Sequence, residues 1–247
     1  MNQAADLPYP IRFRDVHYLA ALYPANQTKV EELLDGTGLQ AGLHWGRKPL
    51  VALGLIQYKD SDLGAYNEII LAIPAIQEHE KAGLANWLDL YAGFNKRKGG
   101  QYIIHIPVTT QNSVDAGRLL WGYPKIQLPI EHTFSANCIR SVLFNNHNKP
   151  IIQVEGKQGL NLPIPAMNLM TYSFLDGTML KTTVDVNCKM HWKCGSGLKI
   201  RVLDTDHPIG KDVAALEIDN IIPLFTIESK HFKAGFNKGQ IVELNLT

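Results

Sequence analysis

Cysteine is scarce in this chain: Cys138, Cys188 and Cys194 are all that 247 residues contain. An odd count with no paired spacing argues against a disulfide framework and suits a reducing compartment. Net charge is scarce as well. Lys and Arg together number 24 against 23 Asp and Glu, leaving +1, so nothing draws the chain generally to nucleic acid or to an anionic membrane surface. No apolar run approaches the ~18–20 residues of a bilayer crossing. The first ten residues, with Asp6, Pro8 and Pro10, lack the basic-then-apolar order of a signal peptide. These absences predict a cytoplasmic protein without nucleic-acid or membrane partners.

Recognisable ligand and phosphate motifs are missing too. The nine histidines form no His-Glu-x-x-His pattern, and Glu78-His79-Glu80 on a helix would project in different directions. Cys188 and Cys194 have no second ligand pair and read as partly buried thiols. No metal or cofactor is expected. Cys194-Gly195-Ser196-Gly197 is too short for a phosphate loop, and no Gly-x-Ser-x-Gly elbow occurs. Lys96-Arg97-Lys98 runs into Gly99-Gly100 and reads as a solvated turn. With no repeat, low-complexity tract or linker, one domain over residues 1–247 is predicted.

What the chain does have is apolar residues, 45% against 19% charged, enough for a substantial core. Thr28-x-x-Glu31 reads as a capping box opening a helix that Gly36 ends. A second helix is predicted over 78–91, with Leu84, Trp87, Leu88 and Tyr91 on one face. A third runs over 113–120, stopped by Gly122 and Pro124. Strands are predicted over 51–58, 66–73, 101–109, 139–144, 151–155, 179–190, 198–203 and 221–229. Asn145 to Pro150 marks a hairpin and Asp176-Gly177 a tight turn. Many short strands and few helices predict an α+β, mainly β protein, its antiparallel sheet closed into a barrel or sandwich.

The most informative stretch is Ala116 to Lys125. Trp121, Tyr123 and Lys125 alternate with Leu120, Gly122 and Pro124, and Ile126 and Leu128 follow. A lysine among such neighbours loses hydration, which favours the neutral amine, and a neutral amine attacks a ketone or aldehyde to give a Schiff base. On composition alone, a lysine whose stem covers apolar surface while its ammonium reaches water is the plainer account.

Gly117-Arg118 with Tyr123-Pro124-Lys125 resembles the Schiff-base segment of the acetoacetate decarboxylase superfamily. Upstream, Gly64-Ala65-Tyr66-Asn67-Glu68 is similar to that family's Gly-x-Tyr-x-Glu segment. The resemblance extends, weakly between these anchors, over nearly the whole chain. It implies a barrel-like β core with peripheral helices, an interior lysine and a homo-oligomer. It also implies Lys125 as the imine-forming residue and Glu68 as the positioning and proton-transfer carboxylate, with Arg118, Tyr66 and Tyr123 at the substrate. The substrate it implies is a small carbonyl acid, decarboxylated through the lysine imine.

Three positions depart from the family pattern. Ile126 stands where the family has a second lysine. Gly54 stands where it has an earlier glutamate, and Val16 where it has an amino-terminal arginine, with Arg12, Arg14 and His17 close by. The same imine acidifies the adjacent carbon, so an aldolase or dehydratase acting on 2-oxo or 3-oxo acids is the alternative chemistry. A small-ligand binding protein without turnover is the non-enzymatic alternative.

Overall fold

A computed structural model describes residues 8–242. In chain order the elements begin with β1 (Ile11–Pro24), α1 (Gln27–Leu34), β2 (Leu39–Ala41) and β3 (His44–Trp45), then β4 (Lys48–Ser61) and β5 (Tyr66–Gln77). Next come α2 (Ala85–Asp89), β6 (Gly100–Val108), α3 (Gln111–Trp121), β7 (Lys125–Gln127), β8 (Ile130–Phe134), β9 (Ile139–Phe144) and β10 (Pro150–Gly156). The chain continues through β11 (Leu160–Ile164), β12 (Leu169–Leu175), β13 (Thr178–Val186), β14 (Met190–Cys194), β15 (Lys199–Val202), α4 (Pro208–Ala215), β16 (Phe225–Phe236) and β17 (Gln240–Ile241).

Seven strands close a barrel in the order β16-β1-β4-β5-β6-β12-β13, and β13 returns to β16 through Val184↔Phe236 and its neighbours. Closure satisfies backbone groups that an open sheet would leave at its edges. The expected mainly β barrel is therefore present, with a correction: β6 pairs in parallel with both β12 and β7. A helix, α3, joins β6 to β7, and a helical crossover is what parallel neighbours need. A second sheet, β15-β10-β9-β8, packs on the outside of β1, β4 and β5.

Those barrel strands are buried on both faces, so they read as continuous apolar runs rather than as alternation. Leu53, Leu55, Ile69 and Leu71 join the core beneath the second sheet with Ile139, Ile152 and Val154. Each such side chain contributes roughly 1.5–3 kcal/mol when fully buried. Their neighbours in sequence, Gly54, Ile56, Glu68 and Ile70, face the barrel interior. A one-residue slip would exchange the two sets, so the outer core fixes which side chains point inward.

Several expected elements differ. Asn26, not Thr28, caps α1, its side chain accepting from Lys29 N at 3.0 Å. The helix expected over 78–91 shrinks to Ala85–Asp89. Strand β5 runs on to Gln77 paired with β2, Gly83 follows, and Leu84, Leu88 and Tyr91 remain exposed. The strand expected over 179–190 is interrupted after Val186: β13 pairs with β12, β16 and β17, and β14 with β11 and β16, while the strand expected over 221–229 begins later and runs to Phe236. Strand β1 and helix α4 were not anticipated. The Asn145–Pro150 hairpin is present, with Asn145 Oδ1 accepting from His147 N and Lys149 N. Among the described residues no helix is long and apolar enough to cross a membrane.

Between barrel and sheet lies a polar seam. His132 on β8 meets the Glu68 carbonyl through Nε2 at 3.3 Å and Ser141 Oγ through Nδ1 at 2.9 Å. A carbonyl only accepts, so Nε2 carries the proton and Nδ1 accepts from the serine. Burial lowers His132 to about 4. Nearby, Glu228 on β16 accepts from His17 Nε2 and Lys193 Nζ, both at 2.8 Å. Burial pushes Glu228 up, but these two donors outweigh it and hold the carboxyl at about 2.

Both groups make acid destabilising. Below pH 6.5 the unfolded histidine takes a proton that the folded one accepts only near pH 4, so stability falls through that window. Glu228 adds a lower limb, its contribution complete above the ordinary glutamate range of about 4.3 and lost as pH falls towards about 2. A histidine shift of this size corresponds to roughly 3 kcal/mol. His132→Gln should flatten the melting temperature between pH 6.5 and 4 and leave the lower limb. A wild-type slope in the variant would contradict this assignment.

Candidate active site

Lys125 is positioned by the end of α3. Gly122 terminates that helix at φ +62°, and a Cβ there would stand 2.3 Å from the Phe174 carbonyl oxygen. Only glycine combines that left-handed backbone with so close an approach. The chain then turns into β7, where Lys125 pairs with Ile106. The lysine side chain runs back across Gly117, whose missing side chain leaves it room: a Cβ there would lie 2.4 Å from Lys125 Cδ. Nζ thus returns to the first turn of α3 and donates to Ser113 Oγ at 2.9 Å. That turn is the positive end of the helix, so an ammonium there gains nothing from the macrodipole.

The same Nζ donates to Glu68 Oε2 at 2.7 Å. Lys125 is 3% exposed and Glu68 2%. Glu68 Oε1 accepts from the Tyr58 hydroxyl at 2.9 Å. Tyr58 lies opposite Tyr66 across β4 and β5, and their rings stack at 4.1 Å. Nζ lies 5.4 Å from the centre of the Tyr66 ring, within the range of a cation–π contact. Burial first, then the Glu68 carboxylate, pushes both tyrosine hydroxyls well above their ordinary range. They remain neutral donors.

These groups face a cavity of about 260 Å³ inside the barrel. Its wall is apolar over most of its extent, with Val16, Gly54, Ile56, Ile70, Ile103 and Phe232 among the lining residues. Three lining residues carry charge: Lys125, Glu68 and Arg97. Tyr66 and Tyr123 line it as well, Tyr123 bonded through its hydroxyl to Thr171 Oγ1 at 2.7 Å.

Arg118 is the exception among the expected site residues. It is exposed, does not line the cavity, and donates through Nε to the Lys125 carbonyl at 2.8 Å. Five residues after Ser113, and so about 140° further round α3, its side chain leaves a different face and braces the lysine backbone instead of reaching the cavity. Of the departures from the family pattern, Val16 and Gly54 do line the cavity, while Ile126 does not. Arg12 is exposed, and exposed Arg14 pairs with Asp60 and Asp62.

Three site residues escaped the sequence reading. Ser113 and Gly117, four apart, share one face of a helix, a spacing that could have exposed Ser113. Tyr58 is the hairpin partner of Tyr66 and is found once the β4–β5 register is known. Arg97 corrects the solvated-turn expectation: it is 4% exposed, its Nε donating to Gly99 O at 3.0 Å and Nη1 to Asn168 O. Among the described residues no group of three or more His, Cys, Asp or Glu is placed to hold a metal ion.

Gly117→Ala tests how the lysine is held. Alanine raises helix propensity by about 1 kcal/mol, and the flexible lysine stem, not the backbone, must yield to the new methyl. The variant should keep its melting temperature within a few degrees, with Nζ displaced from Glu68 and Ser113. Covalent trapping of a ketone at Lys125 should slow by about tenfold or more, the cost of lost positioning. Unchanged trapping would show that the passage over Gly117 is not required.

The sequence from residue 2 to 162 matches the family model described as acetoacetate decarboxylase (ADC). No curated protein sequence matches the chain. An acetoacetate decarboxylase from Legionella pneumophila has a similar solved structure, with a TM-score of 0.71 at 16% identity over 100% of this chain and 96% of that one. The enduracididine biosynthesis enzyme MppR, complexed with the condensation product of pyruvate and imidazole 4-carboxaldehyde, gives 0.67 at 12% identity, covering 97% and 92%. An acetoacetate decarboxylase-like enzyme from Sphingomonas wittichii RW1 gives 0.61 at 12%, covering 96% and 94%. At such identities the structures speak for the fold alone; the family match spans more than half of the sequence, and the chain belongs to the acetoacetate decarboxylase family.

Proposed function

We propose that this protein is a lyase that decarboxylates a β-keto acid through an imine on Lys125. The observation that carries the reading is one amine, buried in an apolar barrel, in direct contact with one carboxylate. Proton transfer along the 2.7 Å bond leaves a neutral amine on Lys125 and a carboxylic acid on Glu68. The amine attacks the substrate ketone, and Glu68 returns the proton as the carbinolamine loses water, giving a protonated imine. The bond to the carboxylate then breaks, carbon dioxide departs, and the electron pair moves into the imine to form an enamine. Glu68, having regained a proton from solvent water, protonates the enamine carbon, and water then hydrolyses the imine to release the ketone and the lysine amine.

The apolar wall favours this direction. A carboxylate stripped of water becomes uncharged carbon dioxide, so the surroundings oppose the starting charge more than the product. Tyr58 and Ser113 hold the carboxylate and the amine in register, and Tyr66 and Tyr123 provide flat walls for the substrate. Aldol or dehydration chemistry would use the same imine and be told apart by its products. A binding protein without turnover would form no covalent adduct.

Incubation with a small ketone and borohydride should label Lys125, identified by mass spectrometry of peptides. Lys125→Met, which fills the same channel over Gly117, should abolish the label. Glu68→Gln should still trap the ketone yet turn over about 10²–10⁴-fold more slowly, the range of general acid–base assistance. Label on another lysine, or none across a broad carbonyl panel, would overturn the assignment. Full turnover by Glu68→Gln would return Glu68 to a structural role.

Acetoacetate itself should be a poor substrate. Val16 and Gly54 place no charge at two lining positions where the family pattern has an arginine and a glutamate. Each missing charge-assisted contact removes roughly 1.5–3 kcal/mol, and about 1.4 kcal/mol is tenfold in rate. Carbon dioxide release from acetoacetate, set beside that from 3-oxooctanoate, is the measurement. The longer acid should react faster, and equal or reversed rates would show that the lost charges are compensated elsewhere.

A further inference from the structure

The cavity has a second polar end. Along β6, Gln101 and Ile106 both line it, and Lys125 pairs with Ile106. Five residues at about 3.3 Å each separate the two backbone positions by roughly 17 Å. The wall between includes Ile70, Ala72 and Ile103, all apolar. At the far end sits Arg97, and no carboxylate among the described residues forms an ion pair with it. Asp89, the nearest candidate, accepts instead from the backbone N–H groups of Lys98 and Gly99. Arg97 spends Nε and Nη1 on two backbone carbonyls, and Nη2 has no hydrogen-bond partner among the described residues. Beside it, Gln101 Oε1 is buried without a partner.

A buried guanidinium whose hydrogen bonds go only to neutral carbonyls, with Asp89 acting on it through space, next to an unbonded amide, is a costly arrangement for a wall that merely packs. It is a suitable one for an anionic head group. We propose that Arg97 and Gln101 form a carboxylate-binding subsite, and that the ligand is an elongated carbonyl compound. Its ketone or aldehyde lies at Lys125, its carboxylate at Arg97, and an aliphatic or aryl segment spans the apolar wall. Nη2 donates to one carboxylate oxygen. The Gln101 amide rotates about its last side-chain bond to turn Nε2 towards the other. The cavity, about 260 Å³, is many times the roughly 10–15 Å³ that one water needs on the same measure, and it has room for more than a four-carbon acid. Only the carbonyl end of this inference rests on the imine reading.

Two measurements separate the subsite from the imine. In borohydride trapping, 7-oxooctanoate should label wild type at lower concentration than 2-octanone, by about ten- to a hundredfold, as a charge-assisted bond provides. Arg97→Met should bring that ratio close to one, and Gln101→Leu should lower it by a smaller factor. In thermal shift, octanoate, which has no reactive carbonyl, should raise the melting temperature of wild type and Lys125→Met but not of Arg97→Met, while octanol should act alike on all three. Octanoate stabilisation lost with Arg97 but without any trapping would sustain the subsite and overturn the imine. Trapping indifferent to the carboxylate would do the reverse, and octanoate stabilisation lost with Lys125 but kept without Arg97 would overturn the subsite alone. Should Arg97→Met fail to fold, Gln101→Leu and the wild-type ratio decide between the same outcomes.

Discussion

One interaction organises this barrel: an amine and a carboxylate, both withdrawn from water, bonded to each other at 2.7 Å. Burying two charges costs several kcal/mol per ion, and their mutual attraction repays this only with good geometry and further hydrogen bonds. The structure supplies both. Ser113 accepts from the amine, Tyr58 donates to the carboxylate, and the Tyr66 ring lies within reach of the amine. Apolar residues of similar volume would fill the space at less cost, so the pair is poorly explained as a stabilising device. Its retention in an interior cavity fits chemistry at the pair.

Glu68 also ties together the two layers of the fold. Its carboxylate faces the cavity, while its backbone carbonyl accepts from His132 on the outer sheet. Its neighbours Ile69 and Leu71 pack under that sheet. The depth of the carboxylate in the barrel is therefore set by hydrophobic burial on the far side of the strand, through the strict two-residue alternation of β structure. Lys125 is set by different means, a helix end and two glycines. Two independent devices, one on a strand and one at a helix–strand junction, converge on a single bond.

That division explains what the sequence reveals. The lysine motif and the Gly-x-Tyr-x-Glu segment are local, and the residues that resemble a family pattern are those whose backbone surroundings are also local: Gly117, Gly122, Tyr123 and Lys125. Strands β9 and β10 and helix α3 were legible because apolar periodicity and clear turn residues coincide there. Strand β1 was not, since Arg12, Arg14 and Asp15 interrupt its pattern where it faces solvent near its start. The expected helix over 78–91 failed because its apolar residues satisfy a helical period without a core to bury them: Leu84 is 89% exposed. Arg97 was hidden for the opposite reason. Flanked by Lys96 and Lys98, it shares the composition of a solvated turn, and only the fold of the β6 approach carries it inward. Tyr58 and Ser113 acquire meaning only once strand register and helix phase are known.

The positions lining the cavity differ in what a substitution there costs. Val16, Gly54 and Ile70 lie on barrel strands whose place is fixed by the outer core, so exchanging a charged for an apolar side chain at such a position removes a desolvation cost and leaves the backbone where it is. Lys125 has no such freedom, because its path depends on Gly117 and its bond on Glu68. A barrel built in this way can hold the amine–carboxylate pair constant while the remaining wall changes polarity. In this chain the wall is apolar at Val16 and Gly54 and carries Arg97 in the loop that leads into β6. On the proposed function, selectivity would rest on the length and far terminus of whatever enters the barrel rather than on charges beside the amine.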